Sequence, residues 1–327
     1  MAHCASAAAP IPVTGTEGTL KLGRWRLRAQ LSSRQLRDDL SLIFKQCWSD
    51  ALIGDKRDGL FRFFEARDGE RWPAGSDDAL TVHQTAGGIS LTSEFVRARL
   101  ERGEPLTIEV LVRRAPSPAA AYQVHLAIAM HRLLLAMDAV YLPAAAVVLD
   151  GHAHVFIGEK GAGKSTISLA LGLSGATVLS DDHVLIERTP AGFVVSGCES
   201  LARVTADTEA QLFGEPLPVA AQDFAGTLKK EFALADYVQA DLSTARPIAA
   251  LHFPRVGTSL QLTPRRAQHT VLDLIERTRR SYRPQNAEEI AQLLDFWSAL
   301  ATAVPSFDLE LSTDLQTLAR LPSLLRA

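Results

Sequence analysis

Apolar and polar positions change period several times along the chain. From Thr19 to Gln30, "TLKLGRWRLRAQ" alternates and predicts a strand. In "SSRQLRDDLSLIFKQC" the apolar residues Leu36, Leu40, Ile43, Phe44 and Cys47 recur at helical spacing, with Ser32 and Gln35 as a capping box. "GLFRFFEA" and "GGISLTSE" read as strands separated by a polar turn region. After "APSP", Ser117 caps a helix whose first residue is Pro118; it is expected to run to about Val140 and to end before Pro143. Two short strands then flank a turn at Asp150-Gly151, the second covering His154 to Ile157. Glu199 to Thr244 reads as irregular. Around it, "ERTPAGFVVSG" predicts a hairpin and "PIAALHFPR" a strand. "RRAQHTVLDLIERTRR" and "NAEEIAQLLDFWSALA" predict helices, the second capped by Asn286 with Glu289; "SFDLELS" is a last strand before a terminal helix. The pattern is α/β: a flexible arm over residues 1–18, a smaller N-terminal α+β domain over 19–114, and a larger domain over 115–327.

Composition narrows the classes. Of 327 residues, 47% are hydrophobic and 22% charged, which excludes disorder over most of the length. A formal charge of −3 gives no general pull toward nucleic acid or an acidic membrane. The basic pairs at 113–114, 229–230, 265–266 and 279–280 read first as solvated faces. Cys4, Cys47 and Cys198 are odd in number and lack CxxC spacing, which argues against a disulfide framework or zinc site and fits a reduced cytoplasm. The start of the chain lacks a basic, then apolar, signal-peptide pattern. The most apolar stretch, Val124 to Leu149, contains His125, His131, Arg132, Asp138 and Pro143 and is too interrupted for a membrane span. His125 and His131 are six apart and share no helix face, so packing is their expected role.

The chemistry concentrates in "GEKGAGKST". Gly158-x-x-x-x-Gly163-Lys164-Ser165 matches the phosphate-loop pattern, with an apolar strand before it and the helix "STISLALGL" after it. Gly158, Gly161 and Gly163 let successive backbone N–H groups, Ala162 and Thr166 among the contributing positions, face one anion at a helix N-terminus. Lys164 brings a positive charge to the β- and γ-phosphates of ATP, and the Ser165 hydroxyl can ligate Mg²⁺. Asp181 lies 17 positions beyond Lys164 and is followed by Asp182. A helix to about Leu173 travels roughly 16 Å outward, and the strand "ATVLSD" returns a similar distance. The two carboxylates are therefore expected beside the phosphates, one for the metal and one to accept a proton from an attacking hydroxyl.

The segment "VFIGEKGAGKSTISLALGLSGATVLSDDHVLIE" resembles the catalytic domain of the HPr serine kinase/phosphorylase family, itself related in fold to phosphoenolpyruvate carboxykinases. The likeness covers about 50 residues, Leu142 to Gly197. It implies an ATP- and Mg²⁺-dependent kinase core, with Lys164 on phosphate, Ser165 and Asp182 on the metal, and Asp181 as base toward a serine hydroxyl. The family places a histidine before the loop where Pro143 stands here, and it carries a long glycine-containing signature after the aspartates that this chain lacks. The resemblance thus points away from phosphorolysis and from HPr as acceptor. A looser HPr-kinase-like group, similar to kinases of ribosomally made peptides such as lasso-peptide precursors, implies a serine in a peptide or protein as acceptor, with the N-terminal domain docking it.

Other residues remain as candidates. Lys229, Lys230 and Arg255 could neutralise charge on a transferring phosphoryl group, Arg203 more weakly, and His183 could tune the acid pair. Glu159 and Lys160, at variable loop positions, are expected to be exposed. Three functions are carried forward: a peptide or protein serine kinase, a small-molecule hydroxyl kinase, and an ATP-sensing module without catalysis. Nucleic acid and membranes are not expected partners; a homo-oligomer is compatible with the sequence.

Overall fold

In a computed structural model of the chain, the described residues are 15–43, 48–50, 59–66, 81–85, 87–113, 119–224, 226–242, 244–282, 284, 286–312 and 315–326. Cys4, Cys47, the "APSP" segment and most of the expected arm lie outside them. The described residues fall into two compact units: one runs to Leu126 without Lys21–Trp25, and the other comprises Ala127 onward with that turn.

The first unit is built on an eight-stranded sheet. Its strands are β1 (Thr16–Leu22), β2 (Trp25–Leu31), β3 (Trp48–Ser49), β4 (Gly59–Glu65), β5 (Thr81–Thr85), β6 (Gly88–Thr92), β7 (Val96–Glu101) and β8 (Leu106–Val112), in the order β3-β1-β2-β4-β8-β7-β6-β5. The expected single strand from Thr19 is thus a hairpin, because Gly23 adopts φ 58°, which a side chain disfavours. Alternation sets the buried face: Leu27, Ala29 and Leu31 of β2 and Val96, Ala98 and Leu100 of β7 are buried. Helix α1 (Arg34–Ile43) buries Leu36 and Leu40. The amide of its third residue, Leu36 N, donates to Ser33 Oγ at 3.4 Å, whereas Ser32 Oγ accepts from Glu65 N; the cap is one residue later than the sequence pattern indicates.

Helix α2 (Ala119–Ala136) stops earlier than expected. Asp138 takes φ 56°, and Ala139–Leu149 forms the strand β9. An apolar run buried on both faces has no period that separates helix from strand. In β9, Val140, Leu142, Ala144 and Ala146 belong to one core, and Ala145, Val147 and Leu149 to another.

Around β9 the second unit assembles β10 (His152–Ile157), β11 (Thr177–Ser180), β12 (His183–Thr189), β13 (Gly192–Gly197), β14 (Leu201–Val204), β15 (Ala221–Asp223), β16 (Leu228–Ala233), β17 (Arg246–Gly257), β18 (Gln261–Pro264) and β19 (Ser306–Ser312). The large sheet runs β10-β9-β12-β13-β17-β19-β18; β11 joins β9, and β10 also pairs in parallel with β17. Pro143, which has no N–H to donate, sits where β9 changes partner. Residues to Pro143 pair with β12, and residues from Ala144 pair with β10. One core packs this sheet against α5 (Ala267–Ser281) and α6 (Ala287–Ala303) through Leu274, Phe296 and Trp297. The other packs it against α3 (Lys164–Leu173) through Ile167 and Leu171 and against the C-terminal helix α7 (Leu321–Arg326) through Leu321. Asn286 caps α6 as the sequence indicates, accepting from Glu289 N at 2.9 Å.

The stretch read as irregular contains a three-stranded sheet, β14-β16-β15, and a short helix α4 (Ala206–Leu212). Strands of three to six residues are too short to show a period. They are held by burial of Ala202, Val204 and Phe232 and by edge-on packing of Phe213, Phe232 and Tyr237. Among the described residues no helix is long and apolar enough to cross a membrane.

Candidate functional site

β10 ends at Ile157, and α3 begins at Lys164, so the glycine-rich segment is the connection between them. Gly161 and Gly163 take φ 87° and 93°, a conformation costing a residue with a side chain roughly 1–2 kcal/mol. A Cβ at Gly163 would also lie 2.7 Å from Leu311 Cδ1. Gly163→Ala is therefore expected to lower stability by roughly 2 kcal/mol and to weaken phosphate binding; thermal unfolding and nucleotide titration of the variant check both effects. The Lys164 ammonium folds back over the loop, donating to Gly158 O at 3.0 Å and Glu159 O at 2.9 Å. Burial pushes its pKa down, against the opposing pull of Asp182 and Asp181.

α3 carries the chain away from the loop, and β11 brings it back alongside β9. The two carboxylates at its end meet different surroundings. Asp181 is 3% exposed. It accepts the Ser168 hydroxyl at 2.6 Å. Burial pushes its carboxyl up to about 6, although the nearby Ser168 and Ser165 hydroxyls favour the ionised form. The Asp182 side chain is 40% exposed and opens into a cleft of about 420 Å³. Its main chain is fixed by the amide of Ala144, which donates to Asp182 O at 2.8 Å.

The same cleft is lined by Gly158, Gly161, Gly163, Lys164, Ser165 and Thr166, so the fold gathers the glycine-loop residues with one of the two acids. Ala162 does not line it; its N–H turns back to Glu159 O at 3.1 Å. Lys229 reaches the cleft, but Lys230 does not: its ammonium donates to Glu209 Oε1 at 2.8 Å and Leu217 O at 2.9 Å. Alternation along β16 sends the two neighbours to opposite faces. Arg255 stands outside the cleft, 70% exposed and paired with Glu310 at 3.1 Å.

Several lining residues carried little sequence signal. Arg277 comes from α5 and pairs with Glu159 Oε1 at 3.0 Å, so the loop glutamate is engaged. Lys160 donates to Phe224 O at 3.4 Å. Thr205 and Thr208 enter from the start of α4, and Pro143 from β9. Ser168 could have been found: one turn after Ser165 on a helix, it shares the face that meets the returning strand.

His183 stacks on Tyr141 with ring centroids 5.0 Å apart. Its Nδ1 lies 3.4 Å from Asp182 Oδ2 and 3.5 Å from Glu199 Oε2. Asp182, His183 and Glu199 are near enough to share a cation, but the Arg203 guanidinium already brings positive charge within 3.7 Å of both acids.

No family profile matches the sequence, and no curated protein matches it. Among solved structures the chain is similar to the HPr(Ser) kinase/phosphatase from Coxiella burnetii, with 11% identity and a TM-score of 0.35, over 57% of this chain and 88% of that one. The fold itself is mixed α/β with large sheets.

Proposed function

We propose that this chain is an ATP-dependent kinase that transfers the γ-phosphoryl group to a hydroxyl, with a serine of a peptide or protein as the acceptor. The observation that carries this reading is the shared cleft, in which the Asp182 carboxylate opens beside Lys164 and Ser165. A module that only senses ATP needs one carboxylate for Mg²⁺ but no second one placed as a base. The resemblance of Leu142–Gly197 to serine kinases supports serine as the acceptor.

The donors beside the loop are oxygens: the Ser165 hydroxyl, Asp181 near it, and Asp182 in the cleft. That set suits Mg²⁺, a hard cation that takes carboxylate and hydroxyl oxygens together with phosphate. Ser165 and one carboxylate would hold it; when bound it supplies neutralisation of charge on the β- and γ-phosphates. The loop N–H groups at the start of α3 bind phosphate, and Lys164 exchanges its two carbonyl partners for phosphate oxygens. Asp181, buried and holding the Ser168 hydroxyl, fixes the first turn of α3 that carries Ser165. Asp182, exposed to the cleft, takes the proton of the acceptor hydroxyl. This reverses the assignment drawn from the sequence, because a base must reach its substrate. The acceptor oxygen bonds to the γ-phosphorus, the bond from that phosphorus to the β,γ-bridging oxygen breaks, ADP leaves with that electron pair, and the acceptor's proton ends on Asp182.

The test is incubation of the protein with Mg·ATP and two pools, serine-containing peptides and hydroxylated metabolites, read by mass spectrometry. Phosphate on peptide serine is the expected result. Phosphate on metabolites alone would make it a small-molecule kinase. ATP binding with no phosphorylated product from either pool would leave the ATP-sensing module.

A further inference from the structure

Arg203 stands on β14 with its side chain in the cleft, and its three guanidinium nitrogens are unequally held. Nε donates to Glu231 Oε2, directly across the small sheet on β16, at 2.7 Å. That is a charge-assisted hydrogen bond of ordinary length. One terminal nitrogen, Nη1, lies 3.7 Å from Asp182 Oδ2, and the other, Nη2, 3.7 Å from Glu199 Oε1. Both separations exceed hydrogen-bonding range. The ring of Phe224 faces the guanidinium 4.7 Å away and limits its rotation. The group is therefore anchored at Nε and stacked on one side, while the nitrogen facing Asp182 is only loosely engaged.

Position identifies what that nitrogen meets. In the transfer geometry the γ-phosphorus lies between the bridging oxygen, near Lys164, and the acceptor oxygen, near Asp182. A cation beside Asp182 is thus beside the γ-phosphoryl group rather than the α- or β-phosphate. Its oxygens carry more charge than one carboxylate oxygen at 3.7 Å and can accept at about 2.8 Å.

We propose that Arg203 is a γ-phosphate sensor that couples the acid of the cleft to the presence of ATP. Without nucleotide, Nη1 partly neutralises Asp182. With Mg·ATP, Nη1 turns to a γ-oxygen while Nε stays on Glu231, and Asp182 is released to the acceptor hydroxyl. ADP lacks the γ-oxygen and leaves Asp182 engaged. The inference rests on the kinase reading and adds a residue and a control step to the same site.

Calorimetric titration of ATP and of ADP, each with Mg²⁺, tests it on the full chain. Arg203→Ala is expected to weaken ATP binding by roughly 10- to 100-fold, the range for a lost charged hydrogen bond, and to change ADP binding by less than about twofold. Arg203→Lys keeps the charge but not the fork and should fall between. Glu231→Gln, which loosens the anchor, should lower ATP affinity selectively as well; it decides the matter if Arg203→Ala fails to fold. Equal losses for ATP and ADP, or an unchanged ATP-to-ADP ratio, overturn the sensor while phosphoryl transfer by the wild type upholds the kinase. A wild type that binds ATP but transfers nothing removes the kinase reading and the release of Asp182 with it, and the ATP-to-ADP ratio then decides only whether Arg203 meets the γ-phosphate. A wild type that binds neither nucleotide overturns both.

Discussion

Asp182→Asn is expected to lower phosphoryl transfer by roughly 10³-fold while leaving Mg·ATP affinity within about threefold. The substitution keeps the size of the side chain and an oxygen acceptor but cannot take up a proton. Because Asp182 is the acid open to the cleft, its loss should appear in turnover. Asp181→Asn is expected to act differently. Its carboxylate is buried and accepts the Ser168 hydroxyl, so an amide there would present N–H groups to that hydroxyl and disturb the first turn of α3, which carries Ser165. Magnesium-dependent ATP binding should weaken first. Single-turnover rates and nucleotide titrations on both variants separate the roles. Normal turnover in Asp182→Asn together with intact ATP binding but lost turnover in Asp181→Asn would return the base role to Asp181.

The second large effect concerns stability. His154 of β10 and His252 of β17 are buried, with Nδ1 and Nε2 3.0 Å apart, and His252 stacks between Phe156 and Phe307. Burial lowers the pKa of His154 to about 4, aided by His152 and Arg326 and opposed by Asp150. Burial and then His154 lower that of His252 to about 3. Both folded values lie below the unfolded value, so the unfolded chain binds more protons between them. The stabilisation is complete above about pH 6.5 and falls as the pH drops. At pH 5 each imidazole costs about 2 kcal/mol, or about 4 kcal/mol for the pair.

Two carboxyls act in the opposite sense. Burial raises Glu187 to about 7 and Asp181 to about 6. The folded chain therefore binds their protons first and gains stability on acidification, which masks the histidines in the wild type. The decisive quantity is a difference. Relative to the wild type, the double variant His154→Gln/His252→Gln should gain about 4 kcal/mol between pH 7.5 and pH 5, whatever its stability at neutral pH. Urea unfolding at both pH values with EDTA present measures this. An identical pH dependence in the two proteins would show that the imidazoles are not held neutral by burial.

Part of this architecture is written in consecutive residues. The strand, glycine loop and helix from His154 to Leu173 follow from local rules: an apolar run, glycines where φ is positive, and a helix N-terminus at the lysine. The return of Asp181 and Asp182 toward the loop follows from rise per residue along a short helix and strand. The Asn286 cap and the hairpin at Pro190–Gly192 were legible for the same reason, since their partners lie within a few positions.

Tertiary structure decided the rest. Helix or strand for Ala139–Leu149 depended on burial of both faces, which erases periodicity. Which aspartate faces the cleft depended on Ser168 occupying Asp181, and the separation of Lys229 from Lys230 on how β16 packs. Arg203 and Arg277 reach the cleft from elements 39 and 113 positions beyond Lys164. Local sequence specifies the type and length of an element through backbone geometry that each residue meets with its near neighbours. The surroundings of a charged side chain are set by whichever distant surfaces close over it, and those exist only once the sheets have packed.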